Sequence, residues 1–341
     1  MSNTLGVVLA GCGGISHAWL KSVKGLEGVT VRGLVDIRRE AAEKQKAEYG
    51  LQEAQTGDDL ADMLKAVKPD IVFDCTTPES HIDVVLQALR RGCHVLGEKP
   101  MADSMANARR MVAAARKAHR LHAVMQNRRY DPRIRALREL LAAGTLGELT
   151  TLNCDFYIGA HFGGFRDRME HVLLLDMAIH TFDQARLISA SDPAAVYCRE
   201  WNPRGSWYDH DASAVAVFEM SNGIVFTYRG SWCSEGLNTT WEADWRAVGT
   251  KGSVLWDGAG AFKAQAVVST GKFLSECKDQ PVSIPDTPKR DGHAGCIRDF
   301  IECVRAGRVP ETSGPDNIKS LAMVFGAIQS AGTGRRIVIK S

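Results

Sequence analysis

The chain has 341 residues, of which 45% are hydrophobic and 24% charged, and its formal net charge is +2. This length exceeds what one typical hydrophobic core supports, so two domains are expected. The composition is typical of a globular enzyme, the charge balance gives no electrostatic footprint for nucleic acid or a membrane surface, and no apolar run approaches the ~20 residues of a transmembrane helix.

Strands and helices alternate in the first part of the chain. Short apolar runs predict strands, and amphipathic stretches between them predict helices. The predicted strands are 5–10, 29–35, 70–74, 94–97 and 121–126. The predicted helices follow a turn at 11–16 up to residue 23 and then cover 41–49, 60–67, 81–91 and 104–119. This order predicts an α/β fold over residues 1–126, with a doubly wound parallel sheet and right-handed crossovers.

The pattern changes near residue 147. Strand character dominates the segments 149–157, 212–220, 224–232, 241–248 and 253–256. Asn222-Gly223 lies between two of these runs and predicts a hairpin. Helices are expected over 172–188, 294–306 and 315–331. Residues 127–341 are therefore predicted to form an α+β domain with a mostly antiparallel sheet, and the domain boundary is expected within 125–147.

The turn after the first strand has the spacing of a dinucleotide-binding loop. Gly11 permits the tight turn, Gly13 lets the backbone approach a pyrophosphate, and the small Ser16 allows close packing of helix and strand. The helix that follows offers free N–H groups and a partial positive charge to phosphates. Asp36 ends the second strand, where a carboxylate binds the adenosine ribose hydroxyls. A glycine turn that serves packing alone is the alternative interpretation.

The choice of cofactor depends on the residues around that acid. Asp36 would repel a ribose 2′-phosphate, which favours NAD. Arg38 and Arg39 follow closely and are able to neutralise such a phosphate, so NADP stays an alternative. A methyltransferase that uses S-adenosylmethionine also carries a glycine-rich turn and an acid after its second strand. That interpretation leaves the next motif unexplained.

Glu98-Lys99-Pro100 follows the short apolar strand at 94–97. Ligands collect at the carboxyl ends of strands in a parallel sheet, so a lysine at this point lies within reach of a bound cofactor and its reaction partner. Proline fixes the local backbone, and an X-Pro bond can adopt the cis form in a tight turn. The motif predicts a Lys99 ammonium group that is aimed at a site; a solvated loop lysine is the alternative.

Asp176 and His180 are four residues apart in a predicted helix and therefore share one face, with Asp183 on the same side. A carboxylate beside an imidazole orients it and raises its basicity. This arrangement suits removal of a proton from an alcohol while a hydride leaves the same carbon. The alternatives are a satisfied polar network in the core and a metal site. No third ligand cluster of convincing spacing is found, so no metal is expected.

The nine cysteines are scattered through the chain and include no Cys-x-x-Cys pair. Their odd number and irregular spacing argue against a disulfide framework. The first four residues lead straight into a strand, without the charged and apolar segments of a secretion signal. Reduced thiols and a cytoplasmic location are therefore expected.

Together these motifs resemble the Gfo/Idh/MocA family (glucose–fructose oxidoreductase, inositol dehydrogenase, rhizopine catabolism). The resemblance covers nearly the whole chain and is specific in combination. It rests on Gly11-Cys12-Gly13-Gly14-Ile15-Ser16, Thr77-Pro78 with His81, Glu98-Lys99-Pro100, Asn127-Arg128-Arg129-Tyr130, Asp176-x-x-x-His180, Gly249-Thr250-Lys251-Gly252-Ser253, and 300–310 with Thr312-Ser313-Gly314.

The resemblance implies a Rossmann domain, and a C-terminal substrate-binding domain whose open-faced sheet forms a homodimer or homotetramer. It also implies three groups of site residues. The catalytic group is Lys99, Asp176 and His180. The cofactor group is Gly11, Gly13, Gly14, Ile15, Ser16, Asp36, Arg38, Thr76, Thr77, Pro78, Glu98, Lys99 and Asn127. The substrate group, partly inferred from a polar stretch before the catalytic helix, is Lys99, Arg128, Tyr157, His161, Arg166, Asp176 and His180.

The implied activity is reversible, NAD(P)-dependent oxidation of a secondary alcohol in a sugar, cyclitol or related polyol. His180 would accept the hydroxyl proton, Asp176 would hold His180, and Lys99 would stabilise developing negative charge on the substrate oxygen. Many members of the family have glycines before the acid–histidine helix and one between the acid and the histidine. Here that stretch contains His171 and Ala178 instead, so a differently shaped pocket is expected. The alternative function is a dinucleotide-binding regulator without turnover.

Overall fold

A computed structural model describes residues 4–271, 273–286 and 291–341. The chain folds into two compact units. Unit 1 comprises Met1–Tyr130 and Pro288–Ile318, and unit 2 comprises Asp131–Thr287 and Lys319–Ser341. The segment that returns to unit 1 lies far beyond the residues 1–126 that the sequence assigns to the Rossmann domain, and no composition shift marks it.

Unit 1 contains a six-stranded parallel sheet of order β3-β2-β1-β4-β5-β6 over its described residues. The strands are β1 (Leu5–Ala10), β2 (Val29–Val35), β3 (Gln55–Gly57), β4 (Ile71–Asp74), β5 (His94–Gly97) and β6 (His122–Val124). The central strands β1 and β4 are buried along their whole length, which explains their continuous apolar sequences. The order reverses between β1 and β4, and this reversal brings the ends of both strands beside the glycine-rich turn.

Several helices begin or end at residues with the expected capping chemistry. Ser104 and Asp59 cap their helices by accepting a hydrogen bond from the backbone N–H three residues later. Gly50 and Gly307 end two others in the left-handed conformation. The helices are α1 (Ser16–Val23), α2 (Arg39–Tyr49), α3 (Leu60–Val67), α4 (Pro78–Arg90), α5 (Met105–Ala118), α6 (Pro132–Ala142), α7 (Ile179–Ser189), α8 (Gly292–Ala306) and α9 (Gly314–Thr333).

Unit 2 is built on a nine-stranded mixed sheet of order β14-β13-β12-β11-β7-β10-β9-β8-β15, as far as its residues are described. Neighbouring strands are antiparallel except β7 and β10, which are parallel. The strands are β7 (Leu149–Tyr157), β8 (Pro193–Trp201), β9 (Ser213–Met220), β10 (Val225–Ser231), β11 (Asp244–Gly249), β12 (Gly252–Trp256), β13 (Phe262–Ser269), β14 (Glu276–Gln280) and β15 (Ile337–Val338). The predicted Asn222-Gly223 turn joins β9 to β10, with Gly223 at φ +86°.

The predicted fold class is confirmed: a Rossmann sheet precedes an α+β region with a mostly antiparallel sheet. The sequence does not predict α6 or the strands β3, β8, β13, β14 and β15. β3 and β15 have only three and two residues, and every residue of the polar strand β14 is exposed or half-buried. Such edge segments lack the apolar alternation on which the prediction depends.

Three further observations concern the kind of protein this is. All nine cysteines are free thiols, seven of them buried. In the part of the chain that the structure describes, no helix combines the length and apolarity required to cross a bilayer, and no three His, Cys, Asp or Glu side chains are grouped as a metal site.

Candidate active site

The glycine loop of unit 1 depends on Gly11. Its φ is +89°, a conformation that L-residues with a Cβ rarely adopt. A Cβ built on Gly11 would lie 2.6 Å from the carbonyl carbon of Cys75, at the end of β4. Glycine is thus required here both for the backbone conformation and for the close approach of two strand ends.

Gly13 and Gly14 differ from Gly11, because a Cβ built on either meets no atom within 4 Å. Ile15, the N-cap residue of α1, is 42% exposed. Ser16 instead is buried, and its hydroxyl donates to the Gly13 carbonyl at 2.5 Å and accepts from Gln45 Nε2 at 2.5 Å. The outer part of the loop therefore leaves space for a ligand, whereas the Ser16 side chain fastens the loop to α2.

Asp36 lies beside this loop, as its position at the end of β2 predicts. Its Oδ2 accepts a 2.8 Å hydrogen bond from the Cys12 backbone N–H, and its Oδ1 accepts one of 2.9 Å from the Arg38 backbone N–H. The Arg38 Nε atom is 3.9 Å from Oδ1. Burial and the nearby Asp36 carboxylate raise the pKa of the Cys12 thiol to about 12, so this thiol is protonated at neutral pH.

A buried polar network lies at the end of β4. Asp74 accepts hydrogen bonds from the Thr76 hydroxyl at 2.5 Å and the Thr76 backbone N–H at 3.1 Å. Its other oxygen lies 2.9 Å from His81 Nδ1. Burial lowers the pKa of His81, but the Asp74 carboxylate outweighs this and the net shift is upward. Thr77 precedes α4 as its N-cap residue, and Pro78 is the first residue of that helix.

Glu98 follows β5 and is 7% exposed. Its Oε1 accepts a 2.7 Å hydrogen bond from Trp19 Nε1, and its Oε2 accepts one of 3.1 Å from the Lys99 backbone N–H. The Lys99–Pro100 peptide bond is cis, and Lys99 is half-buried. The carboxylate therefore fixes the backbone from which the Lys99 side chain projects.

His293 gathers several predicted site residues of unit 1, and the sequence analysis missed it. Its Nε2 is 3.9 Å from Glu98 Oε1, and its Nδ1 is 3.4 Å from Asn127 Nδ2. Burial lowers the pKa of His293; Glu98 opposes this shift, while the nearby charges of Arg128 and Lys99 reinforce it. Glu98, Lys99, Asn127 and Arg128 thus surround one imidazole. A histidine in the first turn of α8, 166 residues after Asn127, carries no local signal of this proximity.

In unit 2, the predicted acid–histidine helix is a π-helix over Leu173–Ala178 followed directly by α7. π-helical turns are rare in proteins overall, but those that occur are often found at functional sites. Asp176 lies in the π-helical part, 15% exposed at its side chain, and His180 lies in the first turn of α7, 7% exposed. Asp183 is buried and accepts a 2.6 Å hydrogen bond from the Ser320 hydroxyl.

Asp176 is paired with Arg166, one of the predicted substrate residues. Arg166 Nε donates to Asp176 Oδ2 at 2.8 Å, and Nη2 donates to Oδ1 at 3.3 Å. The guanidinium carbon also lies 4.9 Å from the ring centroid of Phe162 and 4.7 Å from that of Phe165. Arg166 therefore orients the Asp176 carboxylate and is itself fixed by two aromatic rings.

A cluster of aromatic side chains lies in loops of unit 2. His161 stacks on Trp207 with ring centroids 3.7 Å apart, and its Nε2 is 2.8 Å from Glu235 Oε1. Trp207 donates its indole N–H to the Ala160 carbonyl at 2.9 Å.

Tyr157, the last residue of β7, is half-buried. Phe162 is 5.1 Å from Trp232, which packs 5.7 Å from the half-exposed Trp241.

The structure thus brings the predicted residues together as two sets, one in each unit. The glycine loop, Asp36 and the Glu98–Lys99 turn with Asn127 and Arg128 belong to unit 1. Arg166 and Asp176 form an ion pair in unit 2, to which Tyr157, His161 and His180 also belong.

Two family models match the chain. Residues 5–126 match the model described as the oxidoreductase family, NAD-binding Rossmann fold. Residues 134–255 match the Gfo/Idh/MocA C-terminal domain. The chain belongs to the Gfo/Idh/MocA oxidoreductase family. Its first 126 residues therefore contain an NAD-binding Rossmann domain.

Relatives of this Gfo/Idh/MocA protein include dehydrogenases of sugars and inositol. It is 27% identical to D-apiose dehydrogenase of Paraburkholderia graminis, covering 98% of this chain and 89% of the relative. It is also 27% identical to inositol 2-dehydrogenase of Streptomyces avermitilis, covering 100% and 96%. A solved oxidoreductase from Agrobacterium radiobacter, in complex with NAD+, L-tartaric acid and magnesium, shares the fold with a TM-score of 0.85 at 22% identity, covering 98% of each chain.

The residues of this Gfo/Idh/MocA protein fit a dinucleotide. The open space over Gly13 and Gly14 is what a pyrophosphate requires, since a side chain there would fill it. The first turn of α1 lies directly behind them and directs its N–H groups toward the loop. The Asp36 carboxylate, anchored by two backbone N–H groups, lies at the end of the adjacent strand.

Proposed function

We propose that the protein catalyses the reversible, NAD-dependent oxidation of a secondary alcohol in a sugar, cyclitol or related polyol. The observation that carries the proposal is the family match over both the Rossmann and the C-terminal domain, in a chain that has Lys99, Asp176 and His180. The dehydrogenases of D-apiose and inositol among its relatives support the substrate class.

The cofactor residues divide by role. Gly13, Gly14 and the first turn of α1 hold the pyrophosphate, and Asp36 accepts hydrogen bonds from the adenosine ribose. A 2′-phosphate beside Asp36 would be repelled, so NAD is preferred; Arg38 and Arg39 make NADP the weaker alternative. The remaining cofactor residues are Gly11, Ile15, Ser16, Thr76, Thr77, Pro78, Glu98, Lys99 and Asn127. When bound, the nicotinamide accepts a hydride.

The proton chemistry belongs to side chains of this protein. The His180 imidazole accepts the hydroxyl proton, and the low exposure of His180 limits exchange of that proton with water. Asp176 holds His180 electrostatically, while Arg166 fixes the Asp176 carboxylate in one orientation. The Lys99 ammonium donates a hydrogen bond to the substrate oxygen and stabilises negative charge as it develops there.

Substrate contacts are assigned to Lys99, Arg128, Tyr157, His161, Arg166, Asp176 and His180. The aromatic group around Phe162 and Trp241 supplies flat apolar faces of the kind on which sugar and cyclitol rings stack. Because Arg166 is paired with Asp176, its charge is largely neutralised. An uncharged polyol is therefore favoured over an acidic one at this position.

The C-terminal sheet is assigned a second role in assembly. One sheet face carries a groove of about 900 Å³ whose walls include the ion pair Arg229–Asp155 and the side chains of Leu255 and Val217. We assign this open face to a homodimer or homotetramer contact, with residues 127–341 as the substrate-binding and oligomerisation domain. A cytoplasmic enzyme is proposed, with its nine thiols reduced.

The test is a screen of NAD reduction, followed at 340 nm, against a panel that includes D-apiose, myo-inositol and common aldoses. We expect turnover on at least one polyol and faster turnover with NAD than with NADP. Cofactor binding by calorimetry without turnover on any member of the panel would instead favour a dinucleotide-binding regulator.

A further inference from the structure

His171 occupies the turn that begins the helix of Asp176 and His180. Its φ is +52°, in the left-handed region that residues with a Cβ rarely adopt. Its carbonyl accepts a 3.0 Å hydrogen bond from the Leu175 backbone N–H, so this residue fixes the first turn of the helix. The chain thus holds a strained conformation five residues before Asp176. Such a conformation persists only where surrounding contacts determine it.

The His171 side chain forms an ion pair with Glu200. His171 Nδ1 is 2.7 Å from Glu200 Oε2. Glu200 lies on β8, opposite Ala214 of β9, and its side chain is 2% exposed. In the part of the chain that the structure describes, the second oxygen Oε1 has no hydrogen-bond partner. His171 is therefore the contact that compensates the burial of this carboxylate.

The surroundings of the pair are charged on several sides. A cavity of about 270 Å³ beside it is lined by Arg199 and Trp201 of β8, by Asp211 before β9, and by the uncharged Ala331 and Gly332 of α9. The hydrogen bond to Glu200 raises the pKa of His171; burial opposes this shift, and the charges of Glu200, Glu170 and Asp211 reinforce it.

We propose that His171 is a positioning residue whose ion pair with Glu200 holds the left-handed turn at the start of the catalytic helix and thereby sets the position of Asp176 and His180. This inference rests on the proposed function for its catalytic consequence, but not for its structural one. The sign of its pH dependence follows from the pair. The imidazolium is stabilised by folding, so the contribution is complete at low pH and is lost as pH rises through the raised pKa of His171.

The variants separate charge from backbone. Glu200→Gln keeps the shape of the buried side chain and removes its charge. His171→Asn removes the imidazole but tolerates the left-handed conformation. Glu219 lies on the neighbouring strand β9 and forms an exposed ion pair with Arg336. Glu219→Gln, which removes that carboxylate, is the matched control.

Two readouts are measured on the full-length protein. The first is hydrogen–deuterium exchange of the amides of 173–180, compared between variants at each pH from 6 to 9, and it needs no substrate. At pH 6 we expect at least ~10-fold faster exchange of this segment in Glu200→Gln and His171→Asn than in the wild type, with no change in Glu219→Gln. The difference should shrink as pH rises. The second is kcat with NAD and polyol, which should fall in both variants while NAD affinity stays the same.

The outcomes separate the positioning role of His171 from the proposed dehydrogenase function. Equal exchange of 173–180 in the wild type and Glu200→Gln at pH 6 would overturn the positioning role, whatever the activity. Faster exchange in the variants of a protein whose wild type turns over no polyol would support the positioning role and count against the proposed function. Faster exchange with unchanged kcat would also overturn the inference, because the turn would then not set the catalytic side chains.

Discussion

The indole N–H of Trp19 donates a 2.7 Å hydrogen bond to the carboxylate of Glu98, and the two residues lie 79 positions apart in the sequence. Trp19 is fully buried in α1 and packs 5.0 Å from Phe73 of β4, while Glu98 lies directly after β5. This bond joins the helix behind the glycine loop to the turn that carries Lys99. Two motifs that the sequence presents separately are therefore parts of one structure within unit 1.

Removing this bond is expected to destabilise unit 1. Trp19→Phe keeps most of the apolar ring but leaves a buried carboxylate without one of its donors, which costs ~1.5–3 kcal/mol for a hydrogen bond to a charged group. Trp256→Phe is the control, since buried Trp256 donates to the neutral Ala259 carbonyl and should lose only ~0.5–1.5 kcal/mol. Urea unfolding measures both; equal losses would mean that the charge on Glu98 adds nothing.

Gly11 and Gly25 form a matched pair for the glycine loop. Both have φ +89°, but a Cβ on Gly11 would contact the Cys75 backbone at 2.6 Å, whereas one on Gly25 meets nothing within 4 Å. Gly25→Ala should cost ~1–2 kcal/mol for the left-handed conformation alone. Gly11→Ala should cost a further ~1–3 kcal/mol for overpacking. The free energies of unfolding test this, and similar values for both variants would refute the close approach.

Gly13→Ala tests the cofactor loop without disturbing the fold. A Cβ at Gly13 meets no protein atom within 4 Å, so the free energy of unfolding should stay close to that of the wild type. The same Cβ fills the space assigned to the pyrophosphate, so NAD affinity should fall at least ~10-fold. Calorimetric titration with NAD gives the result, and undiminished affinity in a normally folded variant would place the pyrophosphate elsewhere.

The buried His122 is expected to make the protein less stable in mild acid. Burial lowers its pKa from 6.5 to about 4, so the unfolded chain takes up a proton at this residue between these pH values and the folded chain does not. Stability is therefore lost as pH falls from 6.5 toward 4, by about 3 kcal/mol at pH 4. His81 changes the pH dependence of stability in the opposite direction, but it does so in both the wild type and the His122 variant described below.

His122→Leu removes this proton uptake while retaining a buried apolar side chain. The decline in the free energy of unfolding between pH 7 and pH 4 should be about 3 kcal/mol smaller in His122→Leu than in the wild type. His210→Leu, at an exposed position, is the control and should decline as the wild type does. Parallel pH profiles for the wild type and His122→Leu would contradict the buried, neutral state of His122.

The sequence predicts the fold where local signals are strong. β1, β2 and β5 have the predicted bounds, because apolar runs bounded by glycine or an acid leave little choice of ends. The start of α4 at Pro78, rather than residue 81, reflects the preference of proline for the first helical position. Asp36 was located by its position at the end of the second predicted strand, and the structure places it at the loop.

Long-range contacts were beyond the sequence analysis. Glu98 was assigned to the cofactor, but its oxygens also bind Trp19 and the Lys99 backbone. Arg166 was assigned to the substrate, and the structure pairs it with Asp176. The environment of His293 depends on the return of α8 to unit 1, which no local pattern marks. Pairings of this kind are set by tertiary packing, whereas periodicity reports only which face of an element is buried.

The central claim is that Lys99 contributes to catalysis through the substrate oxygen, whereas it is not needed for folding and its contact with the cofactor adds little to NAD affinity. Its most direct test is Lys99→Met, compared with Lys65→Met at an exposed position of α3, by NAD titration and by turnover at 340 nm with the best polyol. We predict that Lys99→Met binds NAD as the wild type does and loses at least ~100-fold in kcat, while Lys65→Met changes neither. Wild-type turnover by Lys99→Met would contradict the proposed mechanism.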